Sequence, residues 1–232
     1  MPLSDQTYKP GFFLLNDIYQ SIQGEGSLTG TAMVVLRLHG CPVGCPFCDT
    51  KKTWVVDPAH KVDTIPEALG ENERYCEATG TEIAAYIRRT YPGPKWIMLT
   101  GGEPSTQWLK PLVVALHDAG YKVALETSGT ADGCLGAPID WLAVSPKINM
   151  PGGRELLPEV LLFADEIKFV VGRERDLEVL DQMLDEYKLK PGCVIALQPM
   201  SKGQRATELC METVIERGWK LSIQLHKYLD VR

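Results

Sequence analysis

The stretch "TAMVVLRLHGCPVGCPFCDTKKTW", residues 31–54, decides how the rest of the chain is read. Its first half is an apolar run interrupted by one arginine, Arg37, and reads as a buried strand. Its second half sets three cysteines, Cys41, Cys45 and Cys48, into one loop rich in glycine and proline. After it, strands and helices alternate to the end of the chain. A capping box at Thr79 and Glu82 opens a helix over Thr81–Tyr91, with Ile83, Tyr86 and Ile87 on one face. "KWIMLTGGEP" is a strand ending in a glycine turn, and "TQWLKPLVVALHDAG" is a helix closed by Gly120. "YKVALETSG", "IDWLAVSPK", "DEIKFVVG", "CVIALQPM" and "KLSIQLHKY" are further strands. Helices near Glu155–Ala164, over Asp176–Tyr187 and over Ala206–Arg217 separate them.

This alternation predicts an α/β fold built on a parallel sheet or barrel. The strands read as near-continuous apolar runs, as expected when both faces are covered. The least regular stretch, residues 55–80, is acidic and reads as an insertion with little or short helical structure. Nothing else divides the chain, so a single domain over residues 1–232 is expected. The strands end in "HGC", "TGGEP", "ETSG", "SPK" and "QPMS". Parallel α/β architectures bind ligands beyond the carboxyl ends of their strands, so these endings predict one shared mouth.

Composition narrows the function. Of 232 residues, 44% are hydrophobic and 23% charged, the profile of a globular domain with a sizeable core. With a net charge of −6 and no basic stripe, a stable nucleic-acid partner is not expected. The start, "MPLSDQTYKPGFFLLND", lacks a basic region followed by an apolar one, and no run of eighteen apolar residues occurs. A cytoplasmic protein without a membrane segment is the expectation. In a reducing compartment clustered cysteines serve metals or catalysis more often than disulfides. The remaining four, Cys76, Cys134, Cys193 and Cys210, are isolated and read as small core residues.

Structural zinc takes four ligands, and only His39 or a folded-back Cys76 offers a fourth here. Three thiolates on one loop instead suit a 4Fe–4S cluster whose fourth iron stays open for a small molecule, where electron-transfer clusters use four cysteines. A zinc-stabilised binding module is the competing reading from another class.

The spacing C-x3-C-x2-C, with Phe47 before the last cysteine, resembles the signature of the radical S-adenosylmethionine superfamily. "TGGEP" resembles its second motif, in which glycines admit the cofactor and Glu103 offers a carboxylate to its ammonium. Together with "SIQGEG", "ETSGT", "VSPKINM", "ALQPMS" and "HKYL", these stretches resemble the 7-carboxy-7-deazaguanine synthase family in order from residue 16 to about 229. The resemblance implies a homodimeric, modified partial βα barrel of radical-SAM type. It implies a carbon–nitrogen lyase that converts 6-carboxy-5,6,7,8-tetrahydropterin to 7-carboxy-7-deazaguanine and ammonia by radical ring contraction, in queuosine biosynthesis. The family uses a 4Fe–4S cluster, S-adenosylmethionine, Mg2+ and a one-electron donor such as flavodoxin. It regenerates S-adenosylmethionine by returning the hydrogen abstracted from C6 of the substrate.

Carried over by motif, Cys41, Cys45 and Cys48 hold the cluster and Thr50 the Mg2+. Ile22, Gln23, Gly24, Arg37 and Thr100 contact substrate. Phe47, Cys48, Asp49, Gly102, Glu103, Ser145, Pro146, Lys147, Gln198, Pro199, Met200 and Ser201 contact S-adenosylmethionine. Whether His226 or the C-terminus reaches the substrate is left open. Within the superfamily the alternative is a glycyl-radical-enzyme activase, whose substrate is a protein backbone; "SIQGEG" and "CDT" favour the small-molecule enzyme.

Overall fold

In the computed structural model, which describes residues 9–201 and 203–229, the apolar run before the cysteines is an inner strand of a ten-stranded sheet. Phe12–Ile22 (β1) and Ala32–Leu38 (β2) come first and pair antiparallel. Lys61–Val62 (β3), Ile65–Ala68 (α1), Tyr75–Thr79 (β4), Gly80–Thr90 (α2) and Trp96–Gly101 (β5) follow. Next come Lys110–Asp118 (α3), Lys122–Thr127 (β6), Trp141–Val144 (β7), Pro158–Leu162 (α4) and Glu166–Val171 (β8). Glu174–Glu186 (α5), Val194–Pro199 (β9), Gln204–Arg217 (α6), Lys220–Leu221 (β10) and His226–Leu229 (α7) complete the described chain.

The strand order is β10-β9-β8-β7-β6-β5-β2-β1-β4-β3. From β2 outward to β10 every neighbouring pair is parallel, while β1 runs antiparallel to both β2 and β4. The sheet keeps two edges, β10 and β3, and so forms the open, partial barrel that was expected. Carboxyl ends of six long parallel strands therefore share one rim.

Strand alternation assigns the two faces. Leu36, Leu99, Leu125, Ile167 and Leu197 point outward and are buried with Leu112, Leu116 and Leu180 of the helices. Truncating such a leucine costs about 2–5 kcal/mol. The intervening positions, among them Arg37, Thr100, Glu126 and Lys168, line a cavity on the other face. The expectation of apolar strands covered on both faces is corrected here, since the inner face surrounds a polar chamber. At its amino-terminal end Met33, Met98 and Ala124 close the barrel, with Trp96 and Trp141 against them.

The predicted helices are present, and the capping box stands as read. Thr79 N–H donates to Glu82 Oε2 at 2.8 Å, and Glu82 N–H donates back to Thr79 Oγ1 at 3.3 Å. Three readings need correction. The helix near Glu155–Ala164 is the single short turn α4, because Pro158 starts it and Ala164 is already turning into β8. "KLSIQLHKY" is a strand for two residues only, because Ser222 and Gln224 turn away to bond another loop. Residues 55–80 hold little helix beyond the short α1, as read, but the segment is less irregular than expected and is tied to the sheet. β4 extends the sheet, Asp17 Oδ1 accepts from Gly70 N–H, and the Asn16 amide donates to the carbonyls of Asn72 and Arg74.

Candidate active site

The three-cysteine loop leaves the carboxyl end of β2 and is held by its backbone. Gly40 N–H donates to Thr53 O (2.7 Å) and Cys41 N–H to Trp54 O (3.1 Å), while Gly152 N–H reaches in to Val43 O (3.0 Å). Buried Gln107 locks the base of the loop: its Oε1 accepts from Leu14 N–H (2.9 Å) and its amide donates to His39 O (3.2 Å). His39 turns away from the cysteines, stacks on Tyr75 with centroids 4.7 Å apart and bonds Val55 O through Nε2. Cys76 is buried in β4 beside Leu15. Neither supplies a fourth ligand.

Burial pushes the Cys41 thiol up to about 12 and raises that of Cys45, although Lys147 beside Cys45 acts in the opposite sense. Thiols so shielded stay protonated until a cation takes the place of the proton, as iron does. Among the described residues no three of His, Cys, Asp or Glu converge on one ion. A cluster does not require convergence, because each thiolate takes a different iron. The donor set fits a 4Fe–4S cluster.

At the end of β5, the glycines of "TGGEP" are dictated by close approach. Gly101 has φ +141°, and a Cβ there would collide with the backbone of Leu38; at Gly102 it would collide with that of Gly40. Two hydrogen bonds, Gly102 N–H to Leu38 O (2.9 Å) and Glu103 N–H to Gly40 O (2.8 Å), join this turn to the cysteine loop. Glu103 is 2% exposed, and its carboxylate is engaged by the protein itself. Oε1 accepts from Ser105 N–H (3.0 Å) and Thr127 Oγ1–H (2.6 Å), and Oε2 from Ser128 N–H (2.7 Å). Glu103 thus ties the ends of β5 and β6 together while keeping lone-pair capacity toward the cavity.

The opposite end of the cavity is floored by the loop after β1. Gln23 donates its amide N–H to Glu126 Oε1 (3.1 Å), and its Oε1 accepts from Glu25 N–H (3.2 Å). Lys168 is 3% exposed and bonds both Glu25 and Glu126, the latter at 2.9 Å. Burial alone would lower its pKa, but the Glu126 and Glu25 carboxylates outweigh this and raise it. The C-terminal segment straps the loop from outside: Leu225 N–H donates to Gly24 O (2.8 Å) and the Gln224 amide to Glu25 Oε1 (2.8 Å).

Between cysteine loop and floor lies one cavity of about 530 Å³, within the range of small-molecule sites. Nearly all of the predicted residues line it. These are Ile22, Gln23, Gly24, Arg37, Cys41, Cys45, Phe47, Cys48, Asp49, Thr50, Thr100, Gly102, Glu103, Ser145, Lys147, Gln198, Pro199, Met200 and Ser201. Pro146 is buried and is not part of the lining. Arg37 donates from Nη2 to the Tyr19 hydroxyl at 3.2 Å, and the hydroxyl of Thr50 lies 3.6 Å from Cys48 Sγ. Lys147 donates to Ser145 O (2.9 Å) and Oγ (2.5 Å), and burial lowers its pKa. Ser201 adopts φ 59°, a left-handed conformation that a non-glycine residue seldom takes. The C-terminus and the His226 side chain lie outside the described residues. Sequence reading missed Glu25, Glu126 and Lys168. A charged residue on alternate positions of an otherwise apolar strand, as in "KVALET" and "EIKFVV", was the available signal.

An open parallel barrel, with a three-cysteine loop at the end of its first parallel strand and a reactant-sized chamber beneath, defines a radical S-adenosylmethionine enzyme. A family model described as a 4Fe–4S single cluster domain matches residues 22–131. The 7-carboxy-7-deazaguanine synthase of Escherichia coli (strain K12) is 43% identical over 219 residues, 94% of this chain and 98% of that protein. The chain belongs to the 7-carboxy-7-deazaguanine synthase family. The synthase of Buchnera aphidicola subsp. Schizaphis graminum is 36% identical over 224 residues, covering 95% of this chain and all of that protein. The crystal structure of QueE from Escherichia coli superimposes with a TM-score of 0.86 at 40% identity, covering 93% of this chain and 95% of that one.

Proposed function

We propose that this chain converts 6-carboxy-5,6,7,8-tetrahydropterin to 7-carboxy-7-deazaguanine with loss of ammonia. The observation that carries the reading is the two-ended cavity. A cysteine loop stands at one end, and a floor of paired donors and acceptors stands at the other. When bound, the cluster and S-adenosylmethionine supply the one-electron chemistry that begins the ring contraction.

The chain's own residues bind, orient and exclude water. Cys41, Cys45 and Cys48 would hold three irons of the cluster, and Phe47–Asp49 and Gly102 would contact S-adenosylmethionine. Ser145, Lys147 and the segment Gln198–Ser201, which line the cavity, would surround S-adenosylmethionine, and Glu103 would offer its remaining lone pairs to the ammonium. Arg37, steered by Tyr19, takes the substrate carboxylate, which a guanidinium can grip bidentately. An aminopyrimidinone edge presents adjacent N–H donors, and Glu25 and Glu126 are the acceptors nearest the floor, their charge balanced by Lys168. Ile22, Gln23, Gly24 and Thr100 fix the ring between these ends. Thr50 offers a hard oxygen to Mg2+, which keeps its remaining positions for water and substrate oxygens.

A floor sealed by the loop and its C-terminal strap suits a small bicyclic substrate better than the protein backbone a glycyl-radical activase must admit. No described helix is long and apolar enough to cross a membrane, and the reading places the enzyme in the cytoplasm, as a homodimer served by a flavodoxin-like donor. The reading is tested by preparing the chain anaerobically. About four irons and four sulfides per chain, as a 4Fe–4S cluster requires, are expected, with pterin turnover dependent on S-adenosylmethionine. Stoichiometric zinc with no turnover would overturn it.

A further inference from the structure

Beneath the reactant cavity the floor loop rests on a carboxylate that none of the roles above uses. Glu166, the first residue of β8, is 1% exposed. Its Oε2 accepts the backbone N–H of Ser27 (3.0 Å) and the indole N–H of Trp141 (3.3 Å), while Oε1 has no hydrogen-bond partner among the described residues. Glu166 borders a separate cavity of about 10 Å³, room for a single water, shared with Gln23, Glu25, Glu126 and Lys168. A buried carboxylate oxygen without a partner is costly, so its presence calls for a reason.

The loop is shaped to meet it. Gly26 has φ +65°, and a Cβ there would stand 2.6 Å from Glu166 Oε1. Glycine lets the chain turn left-handed without strain and close down on the carboxylate at the same point, where a Cβ would push the Glu166 side chain aside. The second glycine of "QGEG" thereby acquires a physical explanation. Just before it, the same loop presents Gln23 and Glu25 to the cavity.

We propose that Glu166 is a positioning residue for the substrate loop: it holds Gln23–Ser27 from below in the conformation that presents Gln23 and Glu25 to the pterin, without touching substrate. The inference rests on reading this end of the cavity as the pterin site. Loss of the acceptor frees the Ser27 N–H and loosens the loop, whereas the cysteine loop at the far rim is unaffected.

The test uses the full chain with its cluster reconstituted anaerobically. Glu166→Ala should raise KM for 6-carboxytetrahydropterin about tenfold, the effect of losing a hydrogen bond to a charged group. Its iron content and Kd for S-adenosylmethionine should match wild type. Glu166→Gln keeps an acceptor oxygen and should stay within about threefold of wild type. Gly26→Ala, which disturbs the same contact from the loop side, should raise KM similarly, and the double variant should be no worse than either single one. Hydrogen exchange of residues 23–29 should quicken in Glu166→Ala and not in Glu166→Gln. Unchanged KM and exchange in Glu166→Ala, or parallel losses of iron and cofactor affinity, would overturn the proposal. Should Glu166→Ala fail to fold, Gly26→Ala decides, by raising KM or leaving it unchanged. A wild-type chain that does not turn over the pterin would count against the functional reading alone, and the exchange data would still decide for or against Glu166.

Discussion

Replacing Lys168 with methionine should destabilise the enzyme by about 3 kcal/mol, the lower end of what removing one partner of a buried ion pair costs. The side chain is 4% exposed and bonds two carboxylates, with Glu25 and Glu126 themselves only 15% and 24% exposed. Without the ammonium these like charges face each other. The expectation sits at the lower end because each keeps an amide donor, Gln23 on Glu126 and Gln224 on Glu25. For a chain of this size the loss corresponds to a fall in Tm of about 6–12 °C. The pH dependence has a definite sign. A lysine whose folded pKa is raised contributes fully below its unfolded pKa and loses that contribution only as pH climbs through the folded value. The gap between variant and wild type should therefore hold constant from about pH 6 to 9.5. Thermal and urea unfolding of the reconstituted protein measure it. Removing all three charges, as K168M/E25Q/E126Q, should recover part of the loss, because no carboxylate is then left unpaired. A gap under about 1 kcal/mol, one that shrinks between pH 7 and 9, or a triple variant no better than K168M, would refute the reasoning.

Cys41→Ala, Cys45→Ala and Cys48→Ala should each abolish stable cluster assembly, read as iron and sulfide per chain, while Cys134→Ala, a buried residue beneath Ser105, should keep both cluster and turnover. Full iron in Cys45→Ala would remove it from the ligand set. Thr50→Ala should retain cluster and S-adenosylmethionine binding but lose stimulation by Mg2+; equal stimulation of variant and wild type would move the metal elsewhere. Gln107→Leu leaves the Leu14 N–H and His39 O unpaired in the core, so it should cost about 2–4 kcal/mol and lower iron retention. A variant as stable and as iron-rich as wild type would show that the base of the cysteine loop is held by other means.

The rim of the site was legible because its chemistry is local. Three cysteines within eight positions, and two glycines before a glutamate, carry their meaning in a few adjacent residues. The parallel βα order was legible because apolar strands and amphipathic helices differ in period. The floor was not, because it is assembled from side chains far apart in sequence. Lys168 meets Glu25 across 143 positions, and Gln224 meets Glu25 across 199. Within their own segments Glu126 shares a largely apolar strand with Lys122, and Lys168 with Glu166, so nothing in either strand pairs Glu126 with Lys168. The same holds for residues 55–80. Their order comes from Asn16 and Asp17 on a distant strand, which no local pattern within the segment announces. Glu103 lines the cavity, but its three protein donors could be seen only once β6 was brought beside β5.

The most direct test of the account is one anaerobic incubation of the reconstituted enzyme with S-adenosylmethionine, a reductant, Mg2+ and 6-carboxytetrahydropterin carrying deuterium at C6. The account predicts 7-carboxy-7-deazaguanine and ammonia in equal amounts, many turnovers per S-adenosylmethionine, and deuterium in the recovered cofactor. A fully loaded cluster that cleaves S-adenosylmethionine yet forms no deazaguanine, or that instead installs a radical on a glycyl-radical protein, would contradict it.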